Sequence, residues 1–181
     1  MYKSIVFMLS LCVFATSCAQ NTDLNKSQAK ASAKLNELSQ APAPKIDTSW
    51  TQKVVKSDEE WKKLLTPAQY YILREQGTER AFSSPLNDMH DKGFFICAAC
   101  NNPLFSSETK FNSGTGWPSF WTPYAQKSVS VAEDNSMGMT RDEISCQRCG
   151  GHLGHVFDDG PKPTGLRYCM DGDAMKFVAA K

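Results

Sequence analysis

Surplus charge of either sign is nearly absent from this 181-residue chain, in which 20 basic side chains face 19 acidic ones for a formal net charge of +1. Nucleic-acid binders concentrate basic residues on one face, so no nucleic acid is expected as a partner. Long apolar runs are missing too. The single run, residues 5–14, is too short to span a bilayer as a helix, which excludes a polytopic membrane protein. Strand-like segments do not alternate with long helices, so a doubly wound parallel sheet is excluded. No internal repeat is present beyond two Cys-x-x-Cys pairs. With 41% hydrophobic and 22% charged residues, what remains is an ordinary globular chain of one domain.

Aromatic residues are absent from residues 18–45, whereas residues 46–181 hold 16 of them, so the earlier tract has nothing with which to build a core. Residues 1–17 read as a signal peptide: Lys3 precedes the apolar run, and the small residues Ala15, Thr16 and Ser17 end it. A buried N-terminal helix is the competing reading. Ala15-Thr16-Ser17-Cys18 resembles a bacterial lipoprotein box, which makes Cys18 a candidate lipidation site and anchor, although cleavage after Ala19 also suits the segment. Either way the expected location is outside the cytoplasm, in the cell envelope or periplasm. Residues 18–50 read as a flexible linker closed by Ala41-Pro42-Ala43-Pro44, with an r.m.s. reach of roughly 30 Å. A partly helical stretch around Leu35 and Leu38 is the alternative.

Residues 51–181 are the expected domain. Ser57-Asp58-Glu59-Glu60 has the form of a capping box opening a helix whose apolar stripe is Trp61, Leu64 and Leu65. Thr66-Pro67-Ala68-Gln69 opens a second helix with Pro67 in its first turn, and Gly77 is placed to end it in a left-handed conformation. From Gly93 onward the pattern is short β-rich runs, including Phe94-Phe95-Ile96, Val129-Ser130-Val131 and Lys176-Phe177-Val178, between Gly, Pro, Asn and Asp turns. The expectation is a mainly β (α+β) domain of antiparallel sheets behind short N-terminal helices.

Five of the seven cysteines fall within this domain, and four of them form the pairs Cys97/Cys100 and Cys146/Cys149. Two such knuckles can supply the four thiolates of a tetrahedral structural zinc site. Two disulfides compete with this reading, because an exported protein meets oxidising conditions. Cys169 is left over, either as a reactive thiol or as an accident of burial. Arg167, two residues before it and on the same face of a strand, would lower its pKa.

His152 and His155 would face opposite sides of a regular strand, but a bulge at Gly154 resets the parity and brings both rings to one cavity. One structural and one exposed ring is an equal alternative, and a histidine replacing one zinc thiolate is a third. Trp117 and Phe120 sit in the Gly-rich turn Ser113–Trp121. Such aromatics are core plugs, or else they line an apolar pocket for a small methyl-bearing group.

Taken together, Thr78-Glu79-Arg80, Ser113-Gly114-Thr115-Gly116-Trp117-Pro118-Ser119-Phe120, Gly138-Met139 with Arg141, His152-Leu153-Gly154-His155-Val156-Phe157, Asp159-Gly160-Pro161 and Arg167-Tyr168-Cys169 resemble the peptide methionine-R-sulfoxide reductases, or MsrB enzymes. The resemblance runs from about Ser57 to Val178, with both knuckles inside it. It implies two antiparallel sheets, a structural zinc on Cys97, Cys100, Cys146 and Cys149, and Cys169 as nucleophile. It further implies that Cys169 attacks the sulfoxide sulfur and becomes a sulfenic acid, with His152 and His155 placing or protonating the oxygen, Trp117 holding the methyl group and Arg167 supporting the thiolate. The implied partners are oxidised peptides or proteins carrying methionine-R-sulfoxide and an external thiol such as a thioredoxin-like protein or glutathione. A monomer is the default expectation.

The chain departs from the family pattern at two positions. Asp171 and Gly172 stand where Asn and Ser are common; an ionised Asp171 would raise the Cys169 pKa, and a protonated one could donate to the oxygen. Thr115 stands where many members have a resolving cysteine, which leaves no thiol for an intramolecular disulfide with Cys169. Two other classes remain as alternatives: a non-catalytic zinc-stabilised binding module and a Cys-x-x-Cys oxidoreductase. A zinc deaminase is disfavoured, because no His-x-Glu precedes a Pro-Cys-x-x-Cys.

Overall fold

The computed structural model describes residues 49–180. The signal peptide, the lipidation site Cys18 and most of the linker therefore lie outside the described residues. Trp50, assigned to the end of the linker, already belongs to the domain: its indole N–H donates to Asn102 Oδ1 at 2.7 Å.

Local capping chemistry starts both helices where the sequence says it should. In α1 (Asp58–Leu64), Ser57 caps the Glu60 amide and Glu60 reaches back to the Ser57 amide; in α2 (Pro67–Glu75), Thr66 and Gln69 do the same. Two details differ. Of the expected stripe, Trp61 is 2% exposed and Leu65 is buried, but Leu64 is 60% exposed, because α1 ends after two turns and buries only a narrow stripe. The left-handed cap falls on Gln76 (φ 55°), not on Gly77. Gly77 is needed for another reason: a Cβ there would stand 2.2 Å from the Tyr71 ring.

Among the described residues nine strands follow: β1 (Gly93–Cys97), β2 (Pro103–Ser106), β3 (Lys110–Phe111), β4 (Ser119–Phe120), β5 (Val129–Asp134), β6 (Arg141–Cys146), β7 (His152–Phe157), β8 (Arg167–Met170) and β9 (Met175–Ala179). They form two antiparallel sheets, one of three strands in the order β2-β1-β9 and one of six in the order β3-β4-β8-β7-β6-β5. The expected mainly β fold with two antiparallel sheets and short N-terminal helices is the one observed.

Phenylalanines from both sheets meet in the core. Phe105 of β2 stacks on Phe120 of β4 at 4.4 Å, and Phe95 of β1 meets Phe120 edge-on at 4.9 Å. Phe120 is therefore a fully buried core residue, which corrects the expectation that it binds substrate. Its strand neighbour Ser119 points the other way, as successive residues of a strand must, and that alternation decides which of the two reaches the site. The sheets also set the register of the site: on β8, Cys169 lies opposite Ser119 of β4 on one side and His155 of β7 on the other.

Candidate active site

Two arrangements of chemistry-bearing residues stand out, and the first is the cysteine cluster. Each knuckle follows the end of a strand, β1 or β6, and the turns fold so that all four sulfurs lie within 4.8 Å of one another. Cys97 and Cys149 are 3.7 Å apart and Cys100 and Cys146 3.6 Å, far beyond the ~2.05 Å of a disulfide bond. A zinc ion with four bonds of about 2.3 Å to sulfur sets tetrahedral edges of about 3.8 Å, so the donor set fits that metal. Neither histidine joins the cluster. Arg74 contributes from α2: it donates to Cys149 Sγ at 3.2 Å while stacking on Trp61 at 4.3 Å. Asn102 donates to Cys146 Sγ at 3.6 Å. These donors favour sulfur in the thiolate form that a metal requires.

The second arrangement is a partly open cleft of about 440 Å³, walled by Trp117, Arg141, Gly154, His155, Cys169 and Asp171 among others. Cys169 is half-buried at its centre. Thr115 Oγ1 is 3.8 Å from Cys169 Sγ and leads through Ser113 (2.8 Å) to Ser119 (2.7 Å), a chain of hydroxyls along one side of the thiol. Burial pushes the Cys169 thiol up; hydrogen bonds from Thr115 and Ser119 and the Arg167 charge pull it down, and the nearby Asp171 adds to the rise. The Arg167 charge lowers the pKa as expected, but burial outweighs it and the balance is upward. Its guanidinium, which also faces Cys169, is held in a two-point pair with Asp159 at 2.8 Å on each oxygen and lies over the Phe157 ring at 4.4 Å.

The bulge expected near Gly154 is present. Ser145 pairs with His152 and Ile144 with Gly154, leaving Leu153 as the extra residue of β7. Gly154 adopts φ +142°, and a Cβ there would lie 2.2 Å from the Cys169 carbonyl oxygen, so only glycine lets β7 approach the thiol strand this closely. The two imidazoles consequently share a face, with centroids 5.4 Å apart. Only His155 reaches the cleft, however. Its Nε2 is 2.8 Å from Asp134 Oδ2, and burial holds its pKa below the ordinary value. His152 is 4% exposed and sits behind Asp171, its Nδ1 2.6 Å from Glu143 Oε1.

Asp171 is 3% exposed yet borders the cleft, and burial pushes its pKa up to about 7. Below the ordinary carboxylate pKa both folded and unfolded chains carry the proton. Between about pH 4 and pH 7 the folded chain binds more protons than the unfolded one, so this group removes stability as pH rises through that window. The Asp171→Asn variant is accordingly expected to melt above the parent at pH 8, by up to about 4 kcal/mol of stability, and to converge with it near pH 4. Thermal melts of both proteins across that range check the sign.

Three functional side chains escape inspection of the sequence. Glu79 accepts from the Gly172 and Asp173 amides at 2.8 and 2.9 Å, its own amide donates to Asp171 Oδ1 at 2.9 Å, and its carbonyl takes the Trp117 indole N–H at 3.2 Å. One residue thus positions both the acidic turn and the aromatic wall. Asp134 accepts from the Ser136 amide, pairs with Arg141 at 2.7 Å and holds His155, so the β5–β6 hairpin closes on the cleft. Glu143 holds His152. The available signals were the Thr78-Glu79-Arg80 motif and the placement of Arg141 and Glu143 two residues apart, on one face of β6.

Comparison with known proteins accords with this geometry. The SelR domain family matches residues 65–179. A peptide methionine sulfoxide reductase MsrB of Leptospira interrogans (serogroup Icterohaemorrhagiae serovar Lai, strain 56601) is 59% identical over 124 residues, covering 68% of this chain and 95% of the relative. The protein of that name from Agrobacterium fabrum is 56% identical over 125 residues, 69% of this chain and 93% of its own length. The one from Methanosarcina mazei is 55% identical over 126 residues, 70% and 90% respectively. With both Cys-x-x-Cys knuckles, the cysteine cleft and the paired histidines inside the matched region, the chain belongs to the SelR domain family of these MsrB relatives.

Proposed function

We propose that this protein is an exported, zinc-stabilised oxidoreductase that reduces methionine-R-sulfoxide in oxidised peptides and proteins to methionine, with Cys169 as nucleophile. The observation that carries this reading is Cys169 at the centre of a cleft that combines an indole wall with two titratable groups. Trp117 offers an apolar face for the substrate's methyl group. Cys169 bonds to the sulfoxide sulfur, and the oxygen passes to the cysteine as the methionine sulfur takes back its electron pair. Thiolate, sulfoxide and one proton give Cys169 sulfenic acid and methionine.

The proton comes from Asp171. His155 is kept neutral by burial, whereas Asp171 holds its proton into the neutral range, so the carboxyl is the better acid at pH 7. His155, braced by Asp134, orients the oxygen. Zinc on Cys97, Cys100, Cys146 and Cys149 supplies structure and no chemistry.

Regeneration uses an external thiol. One thiol condenses with the sulfenic acid, releasing water and leaving a mixed disulfide, and a second releases Cys169 as the free thiol. Thr115, at 3.8 Å, occupies the place from which a resolving cysteine would act. After one turnover without reductant, mass spectrometry is expected to show Cys169 sulfenic acid, trapped with dimedone, and all four knuckle cysteines free of disulfide. An intramolecular disulfide to Cys169 with zinc retained would contradict this route. The signal-like segment and linker support repair of envelope proteins as the physiological task, with Cys18 as the lipid anchor and a thioredoxin-like protein or glutathione as the donor.

A further inference from the structure

His152 Nε2 is buried without a hydrogen-bond partner, and it faces Asp171 Oδ2 at 3.9 Å. On the other side of the ring, Nδ1 is bonded to Glu143, which borders a separate polar cleft together with Asp58, Arg74, Gln76 and Ser145. We propose that Asp171, His152 and Glu143 form a proton-exchange line, in which the His152 ring passes protons between the carboxyl of the thiol cleft and a carboxylate that meets solvent in the second cleft. Asp171 thereby exchanges its proton with solvent from behind, before substrate takes that proton in front.

The atoms permit this in one arrangement. With Nδ1–H donated to Glu143, the Nε2 lone pair is an unsatisfied acceptor, which a protonated Asp171 satisfies after closing about 1 Å. Asp171 Oδ1 is already occupied by the Glu79 amide, so Oδ2 is the oxygen left for the ring. As the Oδ2 proton moves to Nε2, the Nδ1 proton moves to Glu143 Oε1 and from there to water; the reverse sequence, which starts from the Nε2–H tautomer, returns the proton to Asp171. One proton crosses and no charge is left on the ring.

The line is flanked by other charged groups on every side. Glu79, Asp173 and Cys169 face Asp171, and the Arg167 charge on β8 acts on Cys169. His155, with Asp134 and Arg141 behind it, lies against His152, and Asp58 and Arg74 border the outer cleft. Glu143 is the charge whose removal changes the line without altering the wall of the thiol cleft. Replacing it with a neutral side chain removes one negative charge, so the line loses its proton at lower pH.

This inference rests on Asp171 as the acid, and its test uses no sulfoxide, so that it fails or stands apart from the reductase reading. The rate of Cys169 alkylation by iodoacetamide, followed by mass spectrometry of the Cys169 peptide in the full chain, is measured against pH. The parent is expected to show an inflection near pH 7 besides that of the thiol, and Asp171→Asn to lack it. Glu143→Gln is expected to move that inflection down by at least half a pH unit, while Asp142→Asn, the adjacent carboxylate on the exposed face of β6, leaves it in place. An unmoved inflection in Glu143→Gln overturns the proposal. Ring nitrogen NMR of the unmodified protein provides the check that needs no substitution: His152 must show Nδ1 protonated and Nε2 bare while Asp171 holds its proton, and the opposite tautomer or an imidazolium there overturns the proposal as well.

Discussion

Cys169→Ser is expected to lose at least about a thousandfold in the rate of sulfoxide reduction while keeping the fold of the parent. The size of the effect follows from what serine lacks. Its hydroxyl is a far weaker nucleophile toward sulfur at neutral pH, and it cannot form the sulfenic acid of the proposed route. The substitution costs little structurally, because Cys169 is half-buried beside the hydroxyls of Thr115 and Ser119, which a serine joins without strain. Circular dichroism and turnover with dithiothreitol separate the two contributions. A folded variant with more than a tenth of parental activity would remove Cys169 from the mechanism.

The second large effect is expected at the four-cysteine cluster, read as a zinc site. Structural zinc sites contribute on the order of 10 kcal/mol or more of apparent binding free energy, as much as the whole stability of a typical domain of about 5–15 kcal/mol. The four-sulfur cluster joins the end of β1 in the small sheet to the end of β6 in the large one, so its loss separates structures that nothing covalent connects nearby. Cys97→Ser, or prolonged chelation of the parent, is expected to yield unfolded or aggregated protein containing no zinc. Elemental analysis with thermal melts checks this; a Cys97→Ser protein that melts like the parent without metal would count against the site.

What could be read from the sequence was chemistry confined to neighbouring residues. The capping box at Ser57, the helix start at Thr66-Pro67, the two Cys-x-x-Cys knuckles and the bulge at the His152–His155 segment depend on residues within a few positions of each other, and all are present. What could not be read depends on partners brought from far along the chain. Glu79 acts on a turn 92 to 94 residues away, and nothing around it in sequence marks that turn as its target.

Burial and competition explain the remaining differences. Trp117 and Phe120 share one loop and look alike as candidates, but Phe120 lies on a strand face that meets the phenylalanine core and Trp117 does not. Arg167 acts on the thiol in the expected direction, yet Asp159, eight residues earlier, shares its guanidinium, and burial of the sulfur outweighs its charge. His152 and His155 looked equivalent as a pair; the side chains on the facing strands, Glu143 and Asp134, give one ring a place behind the cleft and the other a place in its wall.

The reductase account depends most on stereochemistry. A racemic methionine sulfoxide peptide, incubated with zinc-loaded full-length protein and dithiothreitol and resolved on a chiral column, tests it in one experiment. Disappearance of the R epimer alone, with an equal amount of methionine peptide formed, is the predicted result. Consumption of neither epimer by folded, metal-loaded protein, or of both at similar rates, would contradict it.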